Sequence, residues 1–358
     1  MSSAKSSPVS ASASSWWPST FAVGASLLVV ATAAGMYIWT RSRRVALIRA
    51  QLTTAVATGD VAGTAAACHA LGTSAELDPA LLFAAAKAGH VGVVSQLIDL
   101  IDVDVRGVRG ATAFIASAAT GRADIVALLL SRGADGDAVD DAGWSGAHYA
   151  AAAGHLSVLK EIAKGTGHGA ASRAAALADG GSVIQRLGVR RTTDGATPLM
   201  LAASEGQTAA VTWLLSLGVD VDAAMSPTCV TALMCAAQKD GAASAACVRA
   251  LAQGGAALNT LASDGRSALA IAAQHNALQP MHELLAMGAM HSPQGTPVDD
   301  VPLAIAVRRG HADAARLLLQ HGANAQGRLS DGRPLLLAAV QGVPRGAMTQ
   351  GTPHGVLV

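Results

Sequence analysis

Aromatic side chains are scarce in this chain: only 3% of its 358 residues are Phe, Trp or Tyr, although 51% are hydrophobic. Because β-sheets favour aromatic and β-branched residues, this composition disfavours an all-β domain and favours helices that pack through Ala and Leu. A strong charge of either sign is also absent, since the formal net charge is +1. Such a chain has no global field to attract nucleic acid, and we expect no nucleic-acid partner.

Signatures of catalysis and of metal binding are missing as well. The four cysteines, Cys68, Cys229, Cys235 and Cys247, include no Cys-x-x-Cys pair, which excludes zinc-ribbon and thioredoxin motifs. The sequence contains no Gly-x-Ser-x-Gly elbow, Walker loop, His-Glu-x-x-His or kinase signature. Five of the 11 histidines occupy positions that a repeated unit explains, and for one of them, His148, we expect a hydrogen bond with Ser145. We therefore expect no enzymatic activity, no catalytic or metal-binding residue and no cofactor.

The repeated unit spans about 33 residues and extends from about Ala46 to Gly342. The residue that closes the first helix of each copy is Gly59, Gly89, Gly121, Gly154, Gly206, Gly310 or Gly342, with Asp240 and Asn276 in the same position. Successive steps lie between 30 and 36 residues, except for one step of 52 between Gly154 and Gly206. A regular step of this size predicts stacked helical pairs, with one insertion.

Local signals within the best-preserved copy support helices. Thr197 can cap a helix, and Pro198 suits its first turn, where the missing amide hydrogen costs no hydrogen bond. The pair Ala202-Ala203 allows close approach of a neighbouring helix, and Leu214-Leu215 gives the second helix an apolar stripe. A glycine that suits a left-handed C-terminal cap follows the second helix in five copies, at Gly133, Gly218, Gly254, Gly288 and Gly322. One such unit cannot bury its apolar face alone, so the copies are expected to stack.

The unit resembles the ankyrin repeat in its Thr-Pro-Leu start, paired alanines, Gly-His and paired leucines before Gly-Ala. The copies that carry most of this pattern are 112–135, 145–155, 194–218 and 302–324. The resemblance implies an all-α fold, an ankyrin-repeat solenoid of about eight helix-turn-helix repeats with hairpin loops. It also implies non-catalytic protein binding.

An uncharged run of 19 residues, Phe21 to Trp39, precedes the repeats. A helix of this length can cross a hydrocarbon core of about 30 Å, and aromatic residues at both ends suit the two interfaces. Four arginines follow it, at 41, 43, 44 and 49, whereas the preceding tail carries only Lys5. We predict a single-pass transmembrane helix with the repeats in the cytosol. The endoplasmic reticulum and the mitochondrial outer membrane are not distinguished.

The predicted organisation has five parts. They are a disordered Ser/Ala-rich tail at 1–20, the transmembrane helix at 21–39, a basic flank with a degenerate capping repeat at 40–77, the ankyrin repeat domain at 78–342 with an insertion near 164–185, and an irregular tail at 343–358. The predicted function is a membrane-tethered scaffold or adaptor. Two alternatives stay open: a recruitment or regulatory subunit of an enzyme, and a secreted or lumenal repeat protein produced by cleavage of the N-terminal segment.

In ankyrin stacks, the hairpin loops and first helices line a groove, so the resemblance indicates where a partner would bind. The candidate protein-binding residues are Trp144, Arg190, Arg191, Glu205, Lys239, His275, Arg308 and Arg309. Ordinary solvated charges are the competing interpretation, and Trp144 alternatively braces its own hairpin. The basic character at Lys239, Arg308 and Arg309 predicts a protein partner with an acidic segment.

Overall fold

The computed structural model describes residues 43–71, 77–164, 193–294, 297, 299, 301–326 and 334. Within these ranges the chain forms eight consecutive pairs of antiparallel-connected helices, here numbered repeats 1 to 8, each with a first and a second helix. The pairs are 43–58 with Val61–Leu71, Ala80–Ala88 with Val91–Ile98, Ala113–Ala119 with Ala123–Ser131, Gly146–Ala153 with Leu156–Lys164, Pro198–Ser204 with Thr208–Ser216, Ala232–Ala236 with Ala242–Gln253, Ala268–His275 with Leu278–Ala286, and Pro302–Arg309 with Ala312–Gln320.

Side-chain caps start the first helices where the sequence supplies a hydroxyl. The hydroxyl oxygens of Thr112, Thr197 and Ser267 each accept a hydrogen bond from the backbone amide three residues later, at 3.3 to 3.4 Å. Pro198 and Pro302 occupy the first turn of their helices, where no amide hydrogen is needed. The predicted Thr-Pro start is thus confirmed as a helix-starting device.

Most of the predicted closing residues adopt the left-handed conformation that ends a first helix. Gly154 and Gly206 both have φ of 74°, and Asn276, in the same position, has φ of 54°. Repeat 6 differs, because there Gly241 rather than Asp240 has positive φ. Its second helix is also longer, with 12 residues instead of the 9 found in repeats 5 and 7, and this absorbs most of the long step that follows Asp240.

The C-terminal end of that longer helix requires a correction. The left-handed glycine after the second helix is Gly133, Gly218, Gly288 and Gly322 in four repeats, as predicted. In repeat 6 it is Gly255, with φ of 91°, and the predicted Gly254 has φ of −76°. The left-handed residue after this longer helix therefore lies one position beyond the predicted glycine.

Neighbouring repeats pack first helix against first helix from repeat 2 to repeat 8. Small side chains make this possible: Ala85, Ala118, Ala202 and Ala273 are completely buried. The buried residues form one continuous core from Leu52 to Ala323. The first helices of repeats 4 and 5 also pack directly, although residues 165–192 separate the two repeats in sequence.

The all-α solenoid predicted from the repeat pattern is confirmed. Among the described residues, β-structure consists of isolated bridges, which include Val139 with Ser145 and Ala224 with Thr231 in the loops between repeats. Across the same residues, no helix has both the length and the apolar character needed to cross a membrane. The predicted span at 21–39 lies outside the described residues, as do the tails at 1–20 and 343–358 and nearly all of the predicted insertion.

Candidate protein-binding surface

The last turns of the first helices carry exposed polar side chains beside the loops that precede those helices. We call these loops the finger loops, and the surface they form with the last helical turns of repeats 5 to 8 the finger–helix surface. In repeats 5 to 8, each first helix buries its apolar side chains against its neighbours, and its polar residues lie at its C-terminal end. His275, Arg308 and Arg309 end their helices in this way and are exposed.

Two of the predicted binding residues pair with each other. Lys239 Nζ lies 2.8 Å from Glu205 Oε2, and this ion pair joins the first helices of repeats 5 and 6. The two side chains are about half exposed, at 55% and 48%. An ion pair this accessible to water contributes less than about 1 kcal/mol. The pair nevertheless compensates the charge of Lys239, which leaves the basic part of the surface to repeats 7 and 8.

The finger loop of repeat 7 places an arginine beside the first helix of the same repeat. Arg266 Nε donates to Asp264 Oδ2 at 2.7 Å, and the Arg266 guanidinium also contacts the side-chain oxygen of Gln274. Burial raises the pKa of Asp264, but the hydrogen bonds and the charge of Arg266 outweigh it and lower the pKa overall. These contacts fix the guanidinium next to Gln274 and His275. The repeat pattern places Arg266 in a finger loop, but it does not show which loops reach back to the helix.

Cationic groups from several elements surround His275. The pKa of its imidazole is lowered, first by partial burial and then by the charges of Arg309, Arg266 and His311. His311 Nε2 donates to the Gln274 carbonyl oxygen at 3.0 Å, which holds repeat 8 against this end of the repeat 7 helix. Every charge that shifts the pKa of His275 is therefore a cation.

The two arginines that end the first helix of repeat 8 carry uncompensated charge. Arg308 Nη1 donates to the carbonyl oxygen of Asp299 at 3.3 Å, a contact with the backbone only. Within the described ranges, no ion pair involves Arg308 or Arg309. Repeats 7 and 8 thus present a basic surface, whereas repeats 5 and 6 present a neutralised pair.

Trp144 lies at the finger loop of repeat 4 and is half-buried. Its backbone amide donates to Asp140 Oδ1 at 2.8 Å, and its ring centroid lies 5.0 Å from that of Tyr149. Tyr149 donates its hydroxyl to Asp140 Oδ2 at 2.7 Å, and burial together with this bond raises the pKa of Tyr149 to about 12. Trp144 is therefore part of the hairpin's own packing. The buried Asp140 organises the loop, because its carboxylate accepts hydrogen bonds from both Trp144 and Tyr149.

His148 connects repeats 4 and 5 and is fully buried. Its Nδ1 accepts from the Ser145 amide at 3.1 Å and lies 2.8 Å from the Ser145 hydroxyl, so the predicted Ser145–His148 hydrogen bond is confirmed. Its Nε2 donates to the carbonyl oxygen of Ala196 at 3.1 Å. Both nitrogens are thus used in structure.

The Gly-His histidines also join neighbouring repeats. His90 Nε2 donates to the Ala57 carbonyl oxygen at 3.2 Å, as His311 does to Gln274. Gln207 takes the same role in repeat 5, where its Nε2 donates to Ala152 at 3.3 Å. In the described part of the chain, no group of three or more His, Cys, Asp or Glu side chains could hold a metal ion.

Arg190 and Arg191, the remaining predicted binding residues, lie outside the described residues. The structure thus brings together Glu205 with Lys239 in one pair, and His275 with Arg309 in a basic cluster. It places Trp144 apart from both, in the finger loop of repeat 4. Position within the repeat was enough to find these residues, but their pairing depends on side-chain reach across repeats.

A stack of paired helices with finger loops and a polar, partly charged surface defines a repeat scaffold that presents itself to other proteins. The family model for ankyrin repeats matches in three overlapping copies, at residues 63–140, 81–170 and 133–225, and the ankyrin repeat model matches at 299–327. The chain belongs to the ankyrin repeat family. Its repeats are those of a protein–protein interaction scaffold.

Solved structures agree with the fold. The ankyrin repeat domain of Bcl-3, described as a unique member of the IκB protein family, is similar with a TM-score of 0.53 and 24% identity over 68% of this chain and 98% of that chain. The human ASB11 ankyrin repeat domain is similar with a TM-score of 0.53, 18% identity and the same coverage. At these identities the likeness concerns the fold alone. A search of curated proteins gave no match.

Proposed function

We propose that this chain is a membrane-tethered adaptor that uses its finger–helix surface to bind an acidic segment of a cytosolic protein. The observation that carries the proposal is the uncompensated charge of Arg308 and Arg309, next to Arg266 and His275. A surface of one sign attracts a partner of the opposite sign and accelerates its association. Catalysis is not part of the proposal.

The tether rests on the sequence. An uncharged run at 21–39 is long enough to span a bilayer, and the arginines that follow it favour a cytosolic C-terminal domain. Tethering confines the adaptor to a surface, which raises the local concentration of any partner also held there. A modest affinity at the finger–helix surface would therefore be sufficient.

Orientation is tested by protease protection on intact cell membranes, with an epitope tag after Val358. We expect protease to remove the tag without detergent. A tag that is protected until detergent is added would contradict the cytosolic orientation and favour the lumenal alternative. A chain that is recovered in the soluble fraction would contradict the tether itself.

Partner binding is tested by in-cell cross-linking and quantitative capture with the variant Arg308→Glu/Arg309→Glu. We expect it to lose the partners that the unmodified chain captures, while circular dichroism shows an unchanged helical content. The matched control is Arg132→Glu/Arg316→Glu, which makes the same change of charge on second helices, where each arginine forms an exposed ion pair. Equal capture by the unmodified chain and the Arg308→Glu/Arg309→Glu variant would contradict this binding surface.

A further inference from the structure

The contacts around His275 lead to a more specific site on the same surface. We infer that carboxylates of the partner's acidic segment bind where repeats 7 and 8 meet, between Arg266, His275 and Arg309, and that His275 takes up a proton when they bind. This inference rests on the function proposed above and adds both the location of the site and its dependence on pH.

Three elements supply the cations of this site. Arg266 comes from the finger loop of repeat 7, and its contacts with Asp264 and Gln274 hold it against the helix. Arg309 comes from the last turn of the first helix of repeat 8. His275 ends the first helix of repeat 7, within range of both charges. An anion placed among these groups would relieve their mutual repulsion, which a neutral ligand would not.

The arrangement favours several carboxylates over one phosphoryl group. Its cations come from adjacent repeats, with Arg266 in repeat 7 and Arg309 in repeat 8. Adjacent packed helices lie about 8–10 Å apart, whereas an extended chain advances about 3.3 Å per residue. An extended segment with acidic residues at intervals of a few positions could follow such a row, but one compact dianion could meet only part of it.

The remaining charged groups near the site define the background against which His275 titrates. Asp264 is engaged by Arg266, and Arg308 and His311 lie on the repeat 8 side. On the repeat 6 side, Lys239 is paired with Glu205, and Asp240 accepts a hydrogen bond from the Gln279 amide at 3.0 Å. Both of these aspartates thus have partners of their own, and among the described residues no carboxylate contributes to the pKa shift of His275.

Proton uptake follows from this environment. Partial burial and the cations Arg309, Arg266 and His311 lower the pKa of His275 in the unbound protein, so its imidazole is neutral near pH 7. Bound carboxylates offset those cations and raise its pKa. A group with a higher pKa in the bound state takes up a proton on binding, so affinity increases as the pH falls through the bound-state pKa. The increase levels off once the unbound imidazole is also protonated.

The test is fluorescence anisotropy with the full-length chain in neutral detergent. The probe is a labelled 12-residue Gly/Ser peptide with six interspersed glutamates, and the control peptide carries glutamine instead. We expect the glutamate peptide to bind at least about threefold more tightly at pH 5.8 than at pH 7.8, because the pKa of His275 is higher in the bound state than in the unbound state. Glutamates of the probe stay ionised in this range, because their usual pKa is about 4.3.

Three variants assign the effect. H275Q should lose most of the pH dependence of peptide binding, and R309Q should weaken binding at both pH values. The control H282Q changes an exposed histidine on the second helix of repeat 7 and should retain the pH dependence. A pH dependence that survives in H275Q, or peptide binding that R309Q leaves unchanged, would overturn the inference.

A further peptide, with phosphoserine in place of glutamate, tests the choice of carboxylate. Binding that requires phosphoserine would overturn that choice. The inference and the proposed function can fail separately. If Arg308→Glu/Arg309→Glu loses its cellular partners while peptide binding is independent of pH, the adaptor stands and the proton-linked site fails. If the peptide binds as expected but the partners are retained, the proposed binding surface for cellular partners fails.

Discussion

At the scale of single residues, His148 shows how one side chain can join two repeats. His148 follows Ser145 by three residues, so the hydrogen bond between these two residues at the start of the helix could be predicted from the sequence. The second bond, to Ala196, spans 48 positions and crosses the long step between repeats 4 and 5. The repeat pattern predicts that the stack continues across that step with an insertion, but it does not show which atoms meet there, so this contact was not predicted.

Replacement of His148 should therefore destabilise the protein more than replacement of a histidine with a single partner. H148A leaves the Ser145 amide and the Ala196 carbonyl without their partners in a buried site, and we expect a loss of about 2–4 kcal/mol. The control H90A removes one bond at a partly exposed position and should cost about 1 kcal/mol. Urea unfolding followed by circular dichroism measures both, and equal losses would contradict the bridging role of His148.

The same scale explains what could be predicted of the binding surface. His275, Arg308 and Arg309 were identified because their position before the closing residue is fixed by the repeat. Their electrostatic neighbours were not, because Arg266 reaches them from a loop and His311 from the next helix. Repeat position locates a residue on the surface, whereas side-chain contacts across repeats decide which charges remain unpaired.

At the scale of helices and turns, the left-handed glycines that follow first and second helices have two separate roles. Gly154 has φ of 74°, a conformation that side chains disfavour, and a Cβ atom there would also meet the side chain of Gln207 from the next repeat. Gly218 has φ of 78°, but a Cβ atom there would have no described neighbour within 4 Å. The two positions therefore separate backbone conformation from contact between repeats.

Alanine at each glycine should reveal the difference. G218A should cost about 1–2 kcal/mol through backbone conformation alone. G154A should cost about 1 kcal/mol more, because displacement of Gln207 breaks its hydrogen bond to Ala152. Thermal unfolding of the two variants provides the comparison. If G154A proved no less stable than G218A, the packing of Gln207 beneath Gly154 would not contribute to stability.

Helix lengths show where the sequence pattern loses resolution. The number of residues between closing positions gives the length of a repeat but not the element that contains an extra residue. In repeat 6 the second helix has 12 residues instead of the 9 in repeats 5 and 7, and the left-handed residue after it is Gly255 rather than Gly254. Two consecutive glycines carry no signal that distinguishes them, since either can adopt a left-handed conformation.

At the scale of the whole molecule, the main contacts of each described repeat are with its adjacent repeats. The stability of such a stack is approximately the sum of the stabilities of its repeats and of the interfaces between them. L214A, in repeat 5, should cost about 2–5 kcal/mol and loosen interfaces on both of its sides. L318A, an equally buried position in repeat 8, should loosen the C-terminal repeats alone. Hydrogen exchange measured by mass spectrometry maps the effect. Uniformly faster exchange in both variants would contradict nearest-neighbour coupling.

Direct packing of repeats 4 and 5 has a consequence for how such a chain can change over evolutionary time. Residues 165–192 connect repeats 4 and 5 in sequence, and the hydrogen bonds of His148 and Gln207 already join these two repeats. Since lengthening a connection costs little entropy, substitutions, additions or losses within this segment need not disturb the register of later repeats. New sequence can therefore be added at this junction without a change in how the surrounding repeats pack.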